Sequence, residues 1–236
     1  KLIWLETPAN PTWAVTDIAA AAEIAHGAGA RLAIDSTAAS PVLTRPIEFG
    51  ADIVMHSATK YLNGHSDVIA GALIAAQDDA FWARIRYLRA SGPVLGPMEA
   101  WLLLRGMRTL FARVEIASRS AQRIAEHFAG HRKLVGVLYP GLPSHPTHAI
   151  AKSQMRGGFG GMLSIRVAGG QAAAMQVAAR LQIFKRATSL GGVESLVEHR
   201  ASVEGPDTPC PPDLLRLSIG IEAVEDLIAD LEQALA

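Results

Sequence analysis

The 236-residue sequence has a single cysteine, Cys210. An intrachain disulfide framework is therefore excluded, as is a zinc site built on several thiolates, and a reducing, cytoplasmic setting is expected. Net charge is lacking too. Lysine plus arginine and aspartate plus glutamate number 22 each, so there is no basic field to draw nucleic acid. No apolar run reaches membrane-spanning length without a charge, and no basic segment followed by a hydrophobic stretch opens the chain. Neither a membrane span nor a secretory signal is expected. The first residue is Lys1, not methionine, and the chain runs at once into Leu2-Ile3-Trp4-Leu5, which reads as a buried strand. Domains seldom open that way, so an upstream segment is expected.

Half of the residues are hydrophobic, enough for a substantial core. Short apolar runs alternate with amphipathic stretches over the first hundred residues, the pattern of a mostly parallel sheet with helices on its faces. Strands are expected at 2–5, 31–34, 52–56 and 68–75. Between the first two, residues 17–28 have helical spacing, with Thr16 as the N-cap and Gly27 and Gly29 at the stop. Residues 97–131 read as one long helix with a weak point at Gly106. Beyond it, strands at 134–138, 162–167, 184–188 and 215–219 mix with helices at 171–181 and 223–235. The expected division is a large α/β domain over 1–115 and a smaller α+β domain over 116–236.

In open parallel sheets ligands bind beyond the carboxyl ends of the strands. Three apolar runs end on chemistry there: Glu6-Thr7-Pro8-Ala9-Asn10-Pro11, Asp35-Ser36-Thr37 and Ser57-Ala58-Thr59-Lys60. A carboxylate, hydroxyls and a lysine along one edge match what pyridoxal phosphate requires. The lysine amine condenses with the aldehyde, the carboxylate keeps the pyridine nitrogen protonated, and hydroxyls donate to phosphate oxygens. Asp35, Lys60, Ser57 and Thr59 suit these tasks. Taken singly, Asp35 reads better as a turn cap and Lys60 as a solvated surface charge; it is their joint placement that points to a site.

Those segments, with His56-Ser57-Ala58-Thr59-Lys60-Tyr61-Leu62-Asn63-Gly64-His65-Ser66-Asp67, resemble the Cys/Met metabolism (transsulfuration) family of pyridoxal-phosphate enzymes. Its members include cystathionine γ-synthase, cystathionine γ- and β-lyases, methionine γ-lyase and O-acylhomoserine sulfhydrylases. Further likeness lies in Tyr139 to Pro146, Gly157 to Met162, Ser189 to Ser195 and Arg216 to Glu222, so it covers nearly the whole chain. The resemblance implies an aspartate aminotransferase-like fold (fold type I), N-terminally incomplete here, with a smaller α+β domain. It implies pyridoxal 5'-phosphate held by Lys60 as a Schiff base, Asp35 on the pyridine nitrogen, and Ser57 and Thr59 on the phosphate. Asn10 then lies by the ring oxygen and Thr37 by the ring face, while Ser189 and Arg216 grip the substrate α-carboxylate. Arginine suits that last task because its planar fork matches a carboxylate with two parallel bonds.

The implied reaction is β/γ-elimination or γ-replacement on sulfur-containing amino acids or activated homoserine esters, with Lys60 as general base. A lyase is the alternative to a synthase. A non-catalytic assembly subunit is a further one, since the family's upstream third is absent. A small amino acid is the expected partner, in a homo-oligomer built as a dimer of dimers. Ser36 stands where the family often has asparagine, Thr188 where several members have glutamate, and Ala201 to Pro212 replaces a longer segment. His145 and His148 are expected to be turn residues of an extended loop and not a metal pair.

Overall fold

The computed structural model describes residues 1–92, 94–205 and 207–236. The chain opens with β1 (Leu2–Glu6), followed by α1 (Ile18–Gly27), β2 (Arg31–Asp35), α2 (Ser40–Leu43), a 3-10 turn (Pro46–Phe49), β3 (Ile53–Ser57) and β4 (Gly71–Ala75). These strands form one sheet in the order β1-β2-β3-β4. The first three are parallel and β4 is antiparallel to β3, in line with the expected mostly parallel sheet. Ile18, Ala22 and Ala25 of α1 pack with Leu32 and Ile34 of β2 in one apolar cluster. Their spacing puts all three on one helix face, which is why the strand-helix-strand unit closes.

The cap of α1 corrects the expectation at Thr16. Asp17 is the N-cap, its carboxylate accepting from Ala20 N at 3.0 Å. Thr16 is engaged elsewhere: its N–H donates to Thr7 Oγ1 and its carbonyl accepts from Gln154. A carboxylate also suits the positive end of the helix better than a hydroxyl does.

Next come α3 (Ala80–Ala90), α4 (Pro97–Met107) and α5 (Leu110–Phe128). The single long helix expected over 97–131 is thus two. Gly106 packs so tightly that a Cβ there would lie 2.2 Å from the Asn63 carbonyl oxygen. Its own carbonyl accepts from Arg113 and from the Thr109 hydroxyl, which ends the helical ladder at that point. The expected domain division at 115/116 falls inside α5.

The remainder holds β5 (Leu134–Leu138), α6 (His148–Gln154), β6 (Met162–Val167), α7 (Gly170–Arg180), β7 (Lys185–Arg186), β8 (Leu196–His199), α8 (Arg200–Glu204), β9 (Leu214–Ser218) and α9 (Val224–Leu235). The second sheet runs β5-β6-β9-β8-β7. Phe128, Leu163, Ile165, Leu215, Leu217, Leu227 and Leu231 form the core between this sheet and its helices. The strand expected over 184–188 shrinks to the two residues of β7. Upstream, Gln182, Ile183 and Phe184 give their N–H groups to the Asp230 carboxylate instead of a neighbouring strand. Downstream, the carbonyls of Thr188 and Ser189 are taken by Arg216.

A further cluster ties the two sheets together, with Trp13, Leu43, Tyr61, Leu62, Val114 and Met162 among its members. Trp13 is fully buried and its indole N–H donates to Ser164 Oγ of β6 at 2.9 Å. The loop after β1 is therefore fastened to the second sheet, which sets where Asn10 stands. No helix among the described residues is long and apolar enough to cross a membrane.

Candidate active site

Parallel register places the ends of β1, β2 and β3 side by side. Glu6 pairs with Asp35, and Asp35 with Met55, two residues before Ser57. From there a closed ring of contacts can be followed. Asp35 Oδ1 accepts from Thr37 N at 2.9 Å, and Thr37 Oγ1 accepts from Ser57 N at 2.8 Å. The Ser57 carbonyl accepts from Lys60 N at 3.0 Å, which turns the chain so that the lysine leaves the strand end. Lys60 Nζ donates to Ser189 Oγ at 3.2 Å. The Ser189 carbonyl accepts from Arg216 Nη2 at 3.0 Å, and Arg216 Nη1 lies 3.5 Å from Asn10 Oδ1. Asn10 N reaches Glu6 Oε1 at 3.5 Å, which closes the ring.

Seven of the residues expected from the sequence lie on this ring: Asn10, Asp35, Thr37, Ser57, Lys60, Ser189 and Arg216. The eighth, Thr59, stands beside it with its hydroxyl turned to the backbone of Ala70. It accepts from Ala70 N at 3.0 Å and donates to the Ala70 carbonyl at 3.3 Å.

Lys60 is half-buried, and burial lowers its proton affinity below the ordinary lysine value. The nearby Arg216 guanidinium pushes the same way, and Glu198 opposes them. The amine therefore becomes neutral at lower pH than a surface lysine does.

Arg216 projects from β9, is 2% exposed, and lies 2.5 Å from Glu198 Oε2, which is directly across in the β8–β9 register. Its Nη2 also donates to the Thr188 carbonyl at 2.6 Å. Its Nε is buried without a partner. A buried guanidinium with an unmade bond beside a weak 3.5 Å contact has the capacity to take a carboxylate. Burial lowers its proton affinity while Glu198 supports it.

Glu198 was not foreseen, nor was Arg200. Arg200 Nη1 lies 3.5 Å from Glu198 Oε1 and its Nε 2.5 Å from Glu204, so Glu198 bridges two arginines at the rim of the ring. The signal that could have found it is an acid directly opposite Arg216, but β8 is only four residues long and shows no clear alternation. His145 and His148 are each held by a backbone carbonyl, Thr12 and Pro140 respectively. His148 begins α6 and is not part of an extended loop, which corrects that expectation. Among the described residues no group of three or more histidine, cysteine or acidic side chains is placed to hold a metal.

The donor set fits pyridoxal phosphate. The Lys60 amine has an environment that favours its neutral form, Asp35 keeps one oxygen without a partner among the described residues, and the Ser57 hydroxyl is engaged with no protein group there. An amine, a carboxylate and a hydroxyl at the ends of parallel strands, facing a buried arginine on a second sheet, define a site of the pyridoxal-phosphate class.

The comparisons with known proteins agree. Residues 1–236 match the family model described as Cys/Met metabolism PLP-dependent enzyme, and the chain belongs to that family. It is 48% identical over 241 residues to the cystathionine γ-synthase of Mycobacterium tuberculosis, covering 100% of this chain and 62% of that protein. It is 43% identical over 244 residues to the cystathionine γ-lyase of Dictyostelium discoideum, again covering 100% and 62%. The crystal structure of cystathionine γ-synthase from Xanthomonas oryzae pv. oryzae in complex with cystathionine superposes with a TM-score of 0.95 at 43% identity, covering 100% of this chain and 62% of that one. The expected pyridoxal-phosphate fold is thereby borne out. The chain spans about 62% of the length of the curated relatives it matches.

Proposed function

We propose that the protein carries out pyridoxal-phosphate-dependent γ-replacement or β/γ-elimination on sulfur-containing amino acids or activated homoserine esters, with a cystathionine γ-synthase-like replacement as the leading reading. The observation that supports it is the closed ring joining Asp35, Lys60, Ser189 and Arg216 across the two sheets. Relatives named as synthases reach 48% identity, against 43% to 44% for those named as lyases.

In this reading Lys60 holds the cofactor, Asp35 keeps charge at its pyridine nitrogen, and Ser57 and Thr59 bind its phosphate, the Thr59 hydrogen turning away from its long bond to Ala70. Asn10 and Thr37 flank its ring. Pyridoxal phosphate supplies the electron sink for the charge left when a bond at the substrate α-carbon breaks. Everything else falls to this chain's residues. Arg216 takes the substrate α-carboxylate on its guanidinium, where Nη1 has only the weak 3.5 Å contact to Asn10, while Glu198 and two carbonyls hold its Nη2 in place. Lys60, freed of its covalent bond and poised toward neutrality by burial, removes the α-proton and carries it onward. Ser189 steadies both, its hydroxyl on the lysine and its carbonyl on the arginine.

A division into residues 1–115 and 116–236, a cytoplasmic location and a homo-oligomeric dimer of dimers belong to the same proposal. Exposed Trp101, Leu104 and Phe111 along α4 and α5 supply apolar surface for such an assembly. The test is to incubate the full-length protein with O-succinylhomoserine and cysteine, and separately with cystathionine. Cystathionine made in the first reaction supports the leading reading. Ammonia and an oxoacid from the second alone would move it to a lyase. Neither product, from a protein that binds no cofactor, would refute it.

A further inference from the structure

Arg113, one turn into α5, is buried and has no carboxylate partner among the described residues. Its guanidinium donates to backbone carbonyls instead: Tyr61 at 2.9 Å, Leu62 and Asn63 at 3.5 Å, and Gly106 at 2.9 Å, with Nε on Thr109 Oγ1 at 3.0 Å. These carbonyls belong to the ends of two helical turns. Tyr61, Leu62 and Asn63 close the helical turn that starts at Lys60, where Gly64 N bonds back to the Lys60 carbonyl at 2.8 Å. Gly106 lies in the last turn of α4. The last carbonyls of a helical turn have no partner along the chain and carry partial negative charge. One guanidinium satisfies both ends at once.

The fit leaves no slack. A Cβ at Gly64, where φ is +74°, would lie 2.0 Å from Arg113 Nη1, and one at Gly106 would lie 2.2 Å from the Asn63 oxygen. Burial works against the charge and lowers the proton affinity of Arg113, so the group is retained against a desolvation penalty. The same helix reaches the second sheet. Ser118 Oγ accepts from Phe159 N and Gly160 N, both at 3.1 Å, and Ala121, Ile124 and Phe128 belong to the core under β6 and β9. The turn bearing Lys60 is thus fixed to the body that carries Ser189 and Arg216 by the Arg113 guanidinium in addition to the apolar packing of Tyr61 and Leu62 against Val114 and Met162.

We propose that Arg113 is a positioning residue: by clamping the carbonyls of Tyr61, Leu62 and Asn63 onto α5, it sets where the Lys60 amine stands against Ser189. The inference rests on Lys60 being the reacting lysine, but its measurement does not require the cofactor. The groups facing the amine are Ser189, Arg216 and Glu198, and they stay in place when the turn loosens. A loosened turn lets the amine reach water, and its proton affinity then rises toward the ordinary lysine value.

The experiment is pH-dependent acylation of the full-length protein freed of cofactor, read at Lys60 by peptide mass spectrometry, with exposed Lys152 and Lys185 as internal references. Changes in access alter the amplitude of the profile, whereas the environment of the amine sets its midpoint. Arg113→Met is expected to raise the Lys60 midpoint by about half a unit or more, roughly a threefold drop in neutral amine at a given pH, with Arg113→Lys intermediate. Phe128→Leu, a core change on the same helix far from the turn, lowers Tm and leaves the midpoint alone. Should Arg113→Met fail to fold, Arg113→Lys and Gly64→Ala, which crowds the guanidinium, decide the matter. Arg113 variants that lose Tm as Phe128→Leu does, with an unmoved Lys60 midpoint, would overturn the proposal. Cofactor attachment at a different lysine would refute the reading of Lys60 and leave the labelling result standing.

Discussion

Glu198→Ala exposes the energetics of the site most sharply. Glu198 and Arg216 have side chains 3% and 2% exposed and lie 2.5 Å apart, so removing the acid strands a buried cation. Breaking one partner of such a pair typically costs about 3–5 kcal/mol. Two carbonyls, those of Thr188 and Ser189, remain on Arg216 Nη2, and Arg200 loses an acid as well. The first effect softens the loss and the second deepens it, so an overall destabilisation of about 3 kcal/mol is expected. The partner experiment is the pair Glu198→Leu with Arg216→Met. Apolar side chains of similar size remove both desolvated charges together, and the double variant should be more stable than Glu198→Leu alone. Urea unfolding with far-UV circular dichroism reads both, provided the slope is unchanged between variants. A double variant as unstable as the sum of its single changes would show that the two groups are not coupled, and the account of how Arg216 is held would fail.

Other expectations are simpler. Arg216→Lys loses the planar fork and one of two charge-assisted bonds, so KM for the amino-acid substrate should rise by about tenfold to a hundredfold with a smaller change in kcat; an unchanged KM would remove Arg216 from carboxylate binding. Gly106→Ala gains about 1 kcal/mol of helix propensity but drives a Cβ to 2.2 Å from a backbone oxygen, an overpacking of typically about 1–3 kcal/mol. A lower Tm is therefore expected, and a higher one would contradict the packing described. His56 is buried with Nδ1 unpartnered, and burial lowers its proton affinity. The folded state therefore holds it neutral while the unfolded chain takes up the proton first, and stability contributed by the neutral ring is lost as pH falls below the ordinary histidine value of about 6.5. His56→Gln should flatten unfolding midpoints over that acid range; equal slopes in both proteins would argue otherwise.

Much of the site was legible because of where polarity begins. The apolar runs ending at Glu6, Asp35 and Ser57 each stop at the carboxyl end of a parallel strand, and parallel pairing brings such ends together whatever the loops do. Ser189 and Arg216 were reached only through motif resemblance, since one lies in the loop between β7 and β8 and the other on β9 of the second sheet, and no local pattern links them to Lys60. Glu198 escaped because its meaning comes from cross-strand register with Arg216, which a four-residue strand does not announce. The helix break before Leu110 was half visible in Gly106. What cuts the helix is a tertiary contact, Arg113 taking a carbonyl from α4, and no propensity scale contains that. The truncation of β7 has the same kind of cause, three N–H groups captured by Asp230 from the far end of the chain.

Borohydride reduction of the cofactor-loaded full-length protein, followed by proteolysis and mass mapping, tests the assignment at position 60 most directly. A pyridoxyl mass on the peptide containing Lys60, absent from Lys60→Ala, is the predicted result. The same mass on any other lysine, or a protein that takes up no pyridoxal phosphate at all, would contradict it.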